Sequence, residues 1–96
     1  MDAFEQLMYL NTLSFERCRF ETACQSLMAA MYLAENNDAR LEQVEGRAIE
    51  QGNWIDDNVP EHRLSRYASG NNPSVYESAK LEAAKLRRML KRYGQL

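Results

Sequence analysis

Phe20-Glu21-Thr22-Ala23-Cys24-Gln25-Ser26-Leu27-Met28-Ala29-Ala30-Met31-Tyr32-Leu33-Ala34 is the stretch that decides the fold. Ala23, Leu27, Ala30, Met31 and Ala34 recur at three- and four-residue steps, which places them on one stripe of a helix. The stripe is rich in small side chains, so a second helix can approach it closely. Neither Gly nor Pro occurs between residues 2 and 45, so the segment just upstream reads as helical too.

In that upstream segment Asp2 is a helix cap, and Glu5 stands three residues on, the spacing of a capping box. Phe4, Leu7, Met8 and Phe15 share one stripe. Leu10 and Leu13 widen the oily surface, which implies contact from two sides. Tyr9 lies off the stripe. Arg17-Cys18-Arg19 carries no turn signal. Even so, one unbroken helix of this length could not fold back on itself. The reading is therefore a tight hairpin of two helices, about 3–17 and 20–36.

Downstream, Asn36-Asn37-Asp38 stops one helix and caps the next. Leu41, Val44, Ala48 and Ile55 space a third helix over about 38–58. Gly46 and Gly52 weaken it by roughly 1 kcal/mol each relative to Ala. Pro60 disfavours helical geometry at Val59. Residues 59–73 form a long loop, with a short helical turn expected at 61–68 and a turn at Gly70-Asn71-Asn72-Pro73.

A fourth helix spans 75–93. Ser74 and Glu77 have capping-box spacing, and Gly94 stands at the left-handed C-cap position. Val75, Ala79, Leu86, Met89, Leu90 and Tyr93 are expected to form its oily face. Lys80, Lys85, Arg88, Lys91 and Arg92 form the other face, with Arg87 at the border. The fold class is all-α: a helical hairpin, a third helix and a C-terminal amphipathic helix, in a three- to four-helix bundle.

The net charge of −2 hides a segregation of charge. Residues 1–60 carry eleven acidic and four basic side chains, and residues 61–96 carry three and eight. At 96 residues, 45% apolar and 27% charged, the chain reads as one globular domain spanning 1–96 and is too apolar for disorder. A domain of this size buries roughly 60–65% of its unfolded surface and gains from pairing with a copy of itself. Met1-Asp2-Ala3-Phe4-Glu5 lacks the basic start and apolar run of a secretory signal. No stretch approaches the ~20 apolar residues of a membrane span. Cys18 and Cys24 are six apart, unlike a Cys-x-x-Cys motif, and read as reduced thiols in a cytoplasmic protein.

Catalytic constellations are not expected. The single histidine, His62, reads as a solvated loop residue and cannot supply a di-iron motif. Glu42, Glu45 and Glu50, with Asp56-Asp57, read as a solvated acidic face without calcium-site spacing. No Gly-rich phosphate loop is present. The expectation is a non-enzyme with no cofactor and no metal.

The candidate partner-binding residues are Lys85, Arg87, Arg88, Lys91 and Arg92, together with Trp54. For the sole Trp, a hot spot in an interface competes with closure of the core. For the basic face three readings compete: plain solvation, complementarity to the acidic half of this or a second copy, and nucleic acid. Phosphate contact is chemically sound. However, a pI near 5.4 is well below that of such binders, and only Tyr67, Tyr76 and Tyr93 are available for base stacking. The expected partner is another protein, or a second copy in a homodimer. Membrane binding is not expected, because the oily face is needed for folding. A regulatory or nucleic-acid-associated helical protein is the alternative.

Phe20-x-x-Ala23-x-x-x-Leu27-x-x-Ala30, preceded by Leu7 and Leu10, resembles a tetratricopeptide-repeat hairpin over residues 4–37. Leu41 and Val44 fit the start of a second repeat. Asn11 stands where that family has Gly or Ala, Cys18 where it has a turn glycine, Glu35 where it has Pro, and Asp57 where a second repeat needs Ala. The resemblance implies a protein-binding scaffold and carries no catalytic residue. About three such repeats are usual for a stable stack.

Overall fold

In the computed structural model, residues 1–68, 70 and 72–94 are described. Four α-helices follow in order among them: α1 (Ala3–Glu16), α2 (Phe20–Ala34), α3 (Asp38–Asn58) and α4 (Val75–Tyr93). Each start is fixed by local chemistry where a capping side chain exists. Asp2 Oδ1 accepts from the Glu5 N–H at 2.9 Å, and Glu5 Oε1 accepts from the Asp2 N–H at 3.0 Å. The two bonds satisfy two donors that the first turn of α1 would otherwise leave open. Asn37 caps α3 through the Arg40 N–H, and Ser74 caps α4 through the Glu77 N–H. The Glu77 carboxylate turns outward to Lys80 at 2.9 Å instead of closing a capping box.

The α1–α2 hairpin turns without glycine. Arg19 N–H bonds to the Ser14 carbonyl at 2.8 Å and Cys18 N–H to the Phe15 carbonyl at 2.9 Å, the two bonds of a Schellman cap. Cys18 takes the left-handed position, with φ 58°. A residue with a Cβ pays about 1 kcal/mol there relative to glycine. This turn left no composition signal because an unfavourable residue occupies the position.

α1 packs along α2, α3 packs along α4, and α2 touches both α3 and α4. The result is a slab of 40 × 32 × 15 Å. The α2 stripe is buried as expected, with Phe20 and Cys24 added to it. On α3, Leu41, Val44, Ala48 and Ile55 are all buried, and Gln51 fills the remaining heptad position.

Two helices differ from their expected faces. On α1, Phe4 and Met8 are buried, but Leu10 is exposed and the central buried residues are Asn11 and Ser14. On α4 the core face is Tyr76, Ala79, Ala83 and Leu90, whereas Val75 and Tyr93 are exposed. The physical reason is a close approach. A Cβ on Gly52 would lie 3.0 Å from Tyr76 Cβ, so the missing side chain of Gly52 lets Tyr76 of α4 come close against α3. That contact rotates α4 and turns part of its oily surface away from the core. Tyr76, expected as a base-stacking candidate, is 1% exposed.

The expected loop at 59–73 carries turns at Val59–His62 and His62–Ser65 and a short 3₁₀ helix at Arg66–Ala68. Ser69 and Asn71, the latter part of the expected Gly70–Pro73 turn, lie outside the described residues. Leu64 and Ser65 are buried, so the loop covers one end of the core. His62 is half-buried rather than a fully solvated loop residue. Its ring packs edge-on against Phe20 at 5.1 Å, and its Nδ1 accepts from the Leu64 N–H at 3.1 Å.

Two buried groups predict a pH response. Burial pushes the Cys24 thiol up from 9.0 to about 11. Tyr76 is shifted upward as well, first by burial and then by the charges of Cys24 and Glu21. Its hydroxyl has no hydrogen-bond partner among the described residues. The unfolded chain loses these protons at lower pH than the folded one, so it binds fewer protons as pH rises. The Cys24 contribution is fully present below about pH 9 and is lost by about pH 11. Thermal melts should show a midpoint that falls across this interval, and Cys24→Ala should flatten the fall. A midpoint that does not fall would contradict the burial argument.

Candidate functional site

The C-terminal half of α2 and the middle of α4 do not close on each other. Between them lies a groove of about 850 Å³. α2 contributes Met28, Ala29, Met31, Tyr32, Leu33 and Glu35, and α4 contributes Glu82 and Leu86. The floor belongs to the core: Met31 is buried and Leu86 packs against the buried cluster. The walls are open, with Tyr32 85% exposed and Met28 and Leu33 each near 40%. Contiguous oily surface of this kind on a small protein marks a contact site more often than scattered apolar residues do.

The α4 wall extends beyond the groove. Glu82, Leu86, Met89 and Tyr93 follow a four-three-four spacing and therefore share one face of the helix. Lys85 and Arg92 border that face, while Arg88 and Lys91 lie further round. None of these four cations forms an ion pair among the described residues, and neither do the rim carboxylates Glu35 and Glu82.

Arg87 behaves differently. Its Nε donates to Asp38 at 3.0 Å, one terminal nitrogen to Glu45 at 2.8 Å and the other to Glu42 at 3.5 Å. The Asp38 and Glu45 hydrogen bonds hold its guanidinium well above the usual arginine range. Thus one cation of the expected basic face meets the acidic half within the same molecule and fastens α4 to α3. The acidic face of α3 is in part its counterpart.

No family model matches this chain, and neither a curated protein nor a solved structure matches it.

Trp54 sits away from the groove, on the α1–α3 side. Its ring meets Phe15 edge-on at 5.5 Å and Phe20 at 5.8 Å, and it is 41% exposed. It forms the edge of a second depression of about 410 Å³ with Thr12, Phe15, Glu16, Arg47, Glu50 and Gln51. So Trp54 and the basic residues of α4 occupy different sides of the molecule and do not form one site.

Sequence reasoning missed the buried polar knot between α1 and α3. Asn11 is 0% exposed. Its Nδ2 donates to the Ala23 carbonyl at 2.7 Å and to Gln51 Oε1 at 3.0 Å. Its Oδ1 accepts from Gln51 Nε2 at 2.8 Å and from Arg47 at 3.0 Å. Arg47 also donates to Thr12 Oγ1 at 2.8 Å. One signal was available: Leu41, Val44, Ala48 and Ile55 leave position 51 as the missing member of a heptad pattern, and a polar residue there demands a polar partner. Among the described residues no group of three His, Cys, Asp or Glu side chains converges as a metal site, and no helix is long and apolar enough to cross a membrane.

Proposed function

We propose that this chain is a non-catalytic protein–protein interaction module of the cytoplasm, and that it works through the groove between α2 and α4. The observation that carries this reading is the open oily groove beside charges of both signs that form no ion pair among the described residues. Apolar walls supply affinity, and flanking charges set orientation and the rate of encounter. The small-residue hairpin of α1 and α2 resembles the building unit of tetratricopeptide scaffolds, which is in keeping with a binding role.

The alternative, a nucleic-acid-associated protein using α4, draws on Lys85, Arg88, Lys91 and Arg92. It is the weaker reading. Arg87 is spent on three carboxylates, and Tyr76 is buried, which removes one of the stacking residues.

The test is affinity capture from the native cell with the unmodified chain and with Met28→Glu/Tyr32→Glu. Both side chains are exposed, so the pair should leave the fold intact, as circular dichroism would verify. Specific partners should be captured by the unmodified chain and reduced about tenfold or more by the double change. Equal capture by the two proteins would rule out the groove as the binding surface.

A further inference from the structure

We propose that the occupant of the α2–α4 groove is a second copy of this chain, placed by a two-fold axis that crosses α4 near residues 86–89. The proposal rests on the reading of the groove as an interaction surface and adds the identity of the partner.

Charge complementarity carried by one helix points to a second copy. The groove is apolar but its rim is acidic, through Glu35 and Glu82. Its occupant therefore needs an apolar stripe flanked by cations. The second half of α4 has that chemistry: Met89 and Tyr93 continue the oily face, and Lys85 and Arg92 border it. The chain thus carries both the acid-rimmed groove and the basic amphipathic helix that fits it.

Symmetry brings the two together without a further assumption. In an isologous pair, antiparallel α4 helices place each residue opposite one at an equal distance on the other side of the axis. With the axis near 87, Leu86 packs toward Met89 of the second copy, and Glu82 comes opposite Arg92 of the second copy. Each contact occurs twice. Arg87 takes no part, because its guanidinium is held by Asp38, Glu42 and Glu45 on the core side of α4. The slab is only 15 Å thick, so stacking one face on a copy also thickens a core that is thin for independent stability.

The experiment is multi-angle light scattering and sedimentation equilibrium from micromolar to millimolar protein. The set comprises the unmodified chain, Glu82→Arg, Arg92→Glu and the double charge swap. All four should show the same helical circular dichroism, since both residues are exposed. The unmodified chain should dimerise. Each single change should weaken the dimer about tenfold or more, and the double swap should restore it. Raising the salt should weaken the unmodified dimer. A chain that stays monomeric at millimolar concentration overturns the proposal, and so does a dimer indifferent to all three variants. If the chain is monomeric but Met28→Glu/Tyr32→Glu still abolishes capture of other proteins, only the second-copy proposal fails. If neither dimerisation nor capture depends on the groove, both readings fail.

Discussion

Asn11→Ala is expected to lower the unfolding free energy by about 2–4 kcal/mol, large against the 5–15 kcal/mol that holds an ordinary domain. The size of the loss follows from the hydrogen bonds of one side chain. Asn11 uses both donors and both acceptor positions of its amide, and it sits at full burial between α1, α2 and α3. Alanine would remove all four bonds and leave a cavity. The Ala23 carbonyl loses little, because Ser26 also donates to it at 3.0 Å. Arg47 keeps Thr12 and the Met8 carbonyl. Gln51 has no such reserve: among the described residues both hydrogen bonds of its side chain go to Asn11, and it is 6% exposed. The cost is therefore concentrated on one stranded amide.

A double-mutant cycle separates this account from simple loss of packing. Gln51→Ala in the Asn11→Ala background should cost at least about 1 kcal/mol less than it does in the unmodified chain, because its partner is already gone. In thermal melts Asn11→Ala should lower the midpoint by on the order of 15 °C. A loss below about 1 kcal/mol, or strict additivity, would show that the knot contributes little to stability.

The same residue shows where reading the chain succeeds and where it fails. The four helices, their order and nearly all their ends were legible, because caps and periodic spacing act locally. Asp2, Asn37, Ser74 and Gly94 each do their work within one turn. Face assignment was legible only where side chains were oily and large. On α2 and α3 that was enough. On α1 a polar residue holds the central buried position, and its justification lies 40 residues away at Gln51. On α4 the oily residues span more than half the circumference, so hydrophobicity alone could not choose between two rotations of the helix. The choice was made at Gly52, which carries no hydrophobic signal but lets Tyr76 of α4 approach α3 closely. Of the candidate site, the charges of α4 were legible as a pattern. That Arg87 turns inward while Lys85 and Arg92 border the outward oily face of α4 depends on that rotation.

Gly52→Val is accordingly expected to cost about 3 kcal/mol, whereas Gly46→Ala, on the same helix, should stabilise by roughly 1 kcal/mol. Both glycines lie in the interior of α3, where propensity alone favours replacement. Packing gives them opposite signs. A Cβ at Gly46 meets nothing within 4 Å. At Gly52 it meets Tyr76 Cβ at 3.0 Å and Cγ at 3.7 Å. The first of these atoms is anchored to the α4 backbone, so relief requires α4 itself to move. Moving α4 outward would also strain the Arg87 bonds to Asp38 and Glu45 and shift Glu82 and Leu86 relative to the α2 wall. The larger substitution should therefore loosen the groove as well as the fold. Denaturant titrations of the two variants would check the opposite signs, and equal effects would mean that α3 and α4 are not held at the spacing Gly52 permits. If the signs hold, the glycine that looked like a weakness in α3 is what presents the oily, charge-bordered face of α4 to a partner.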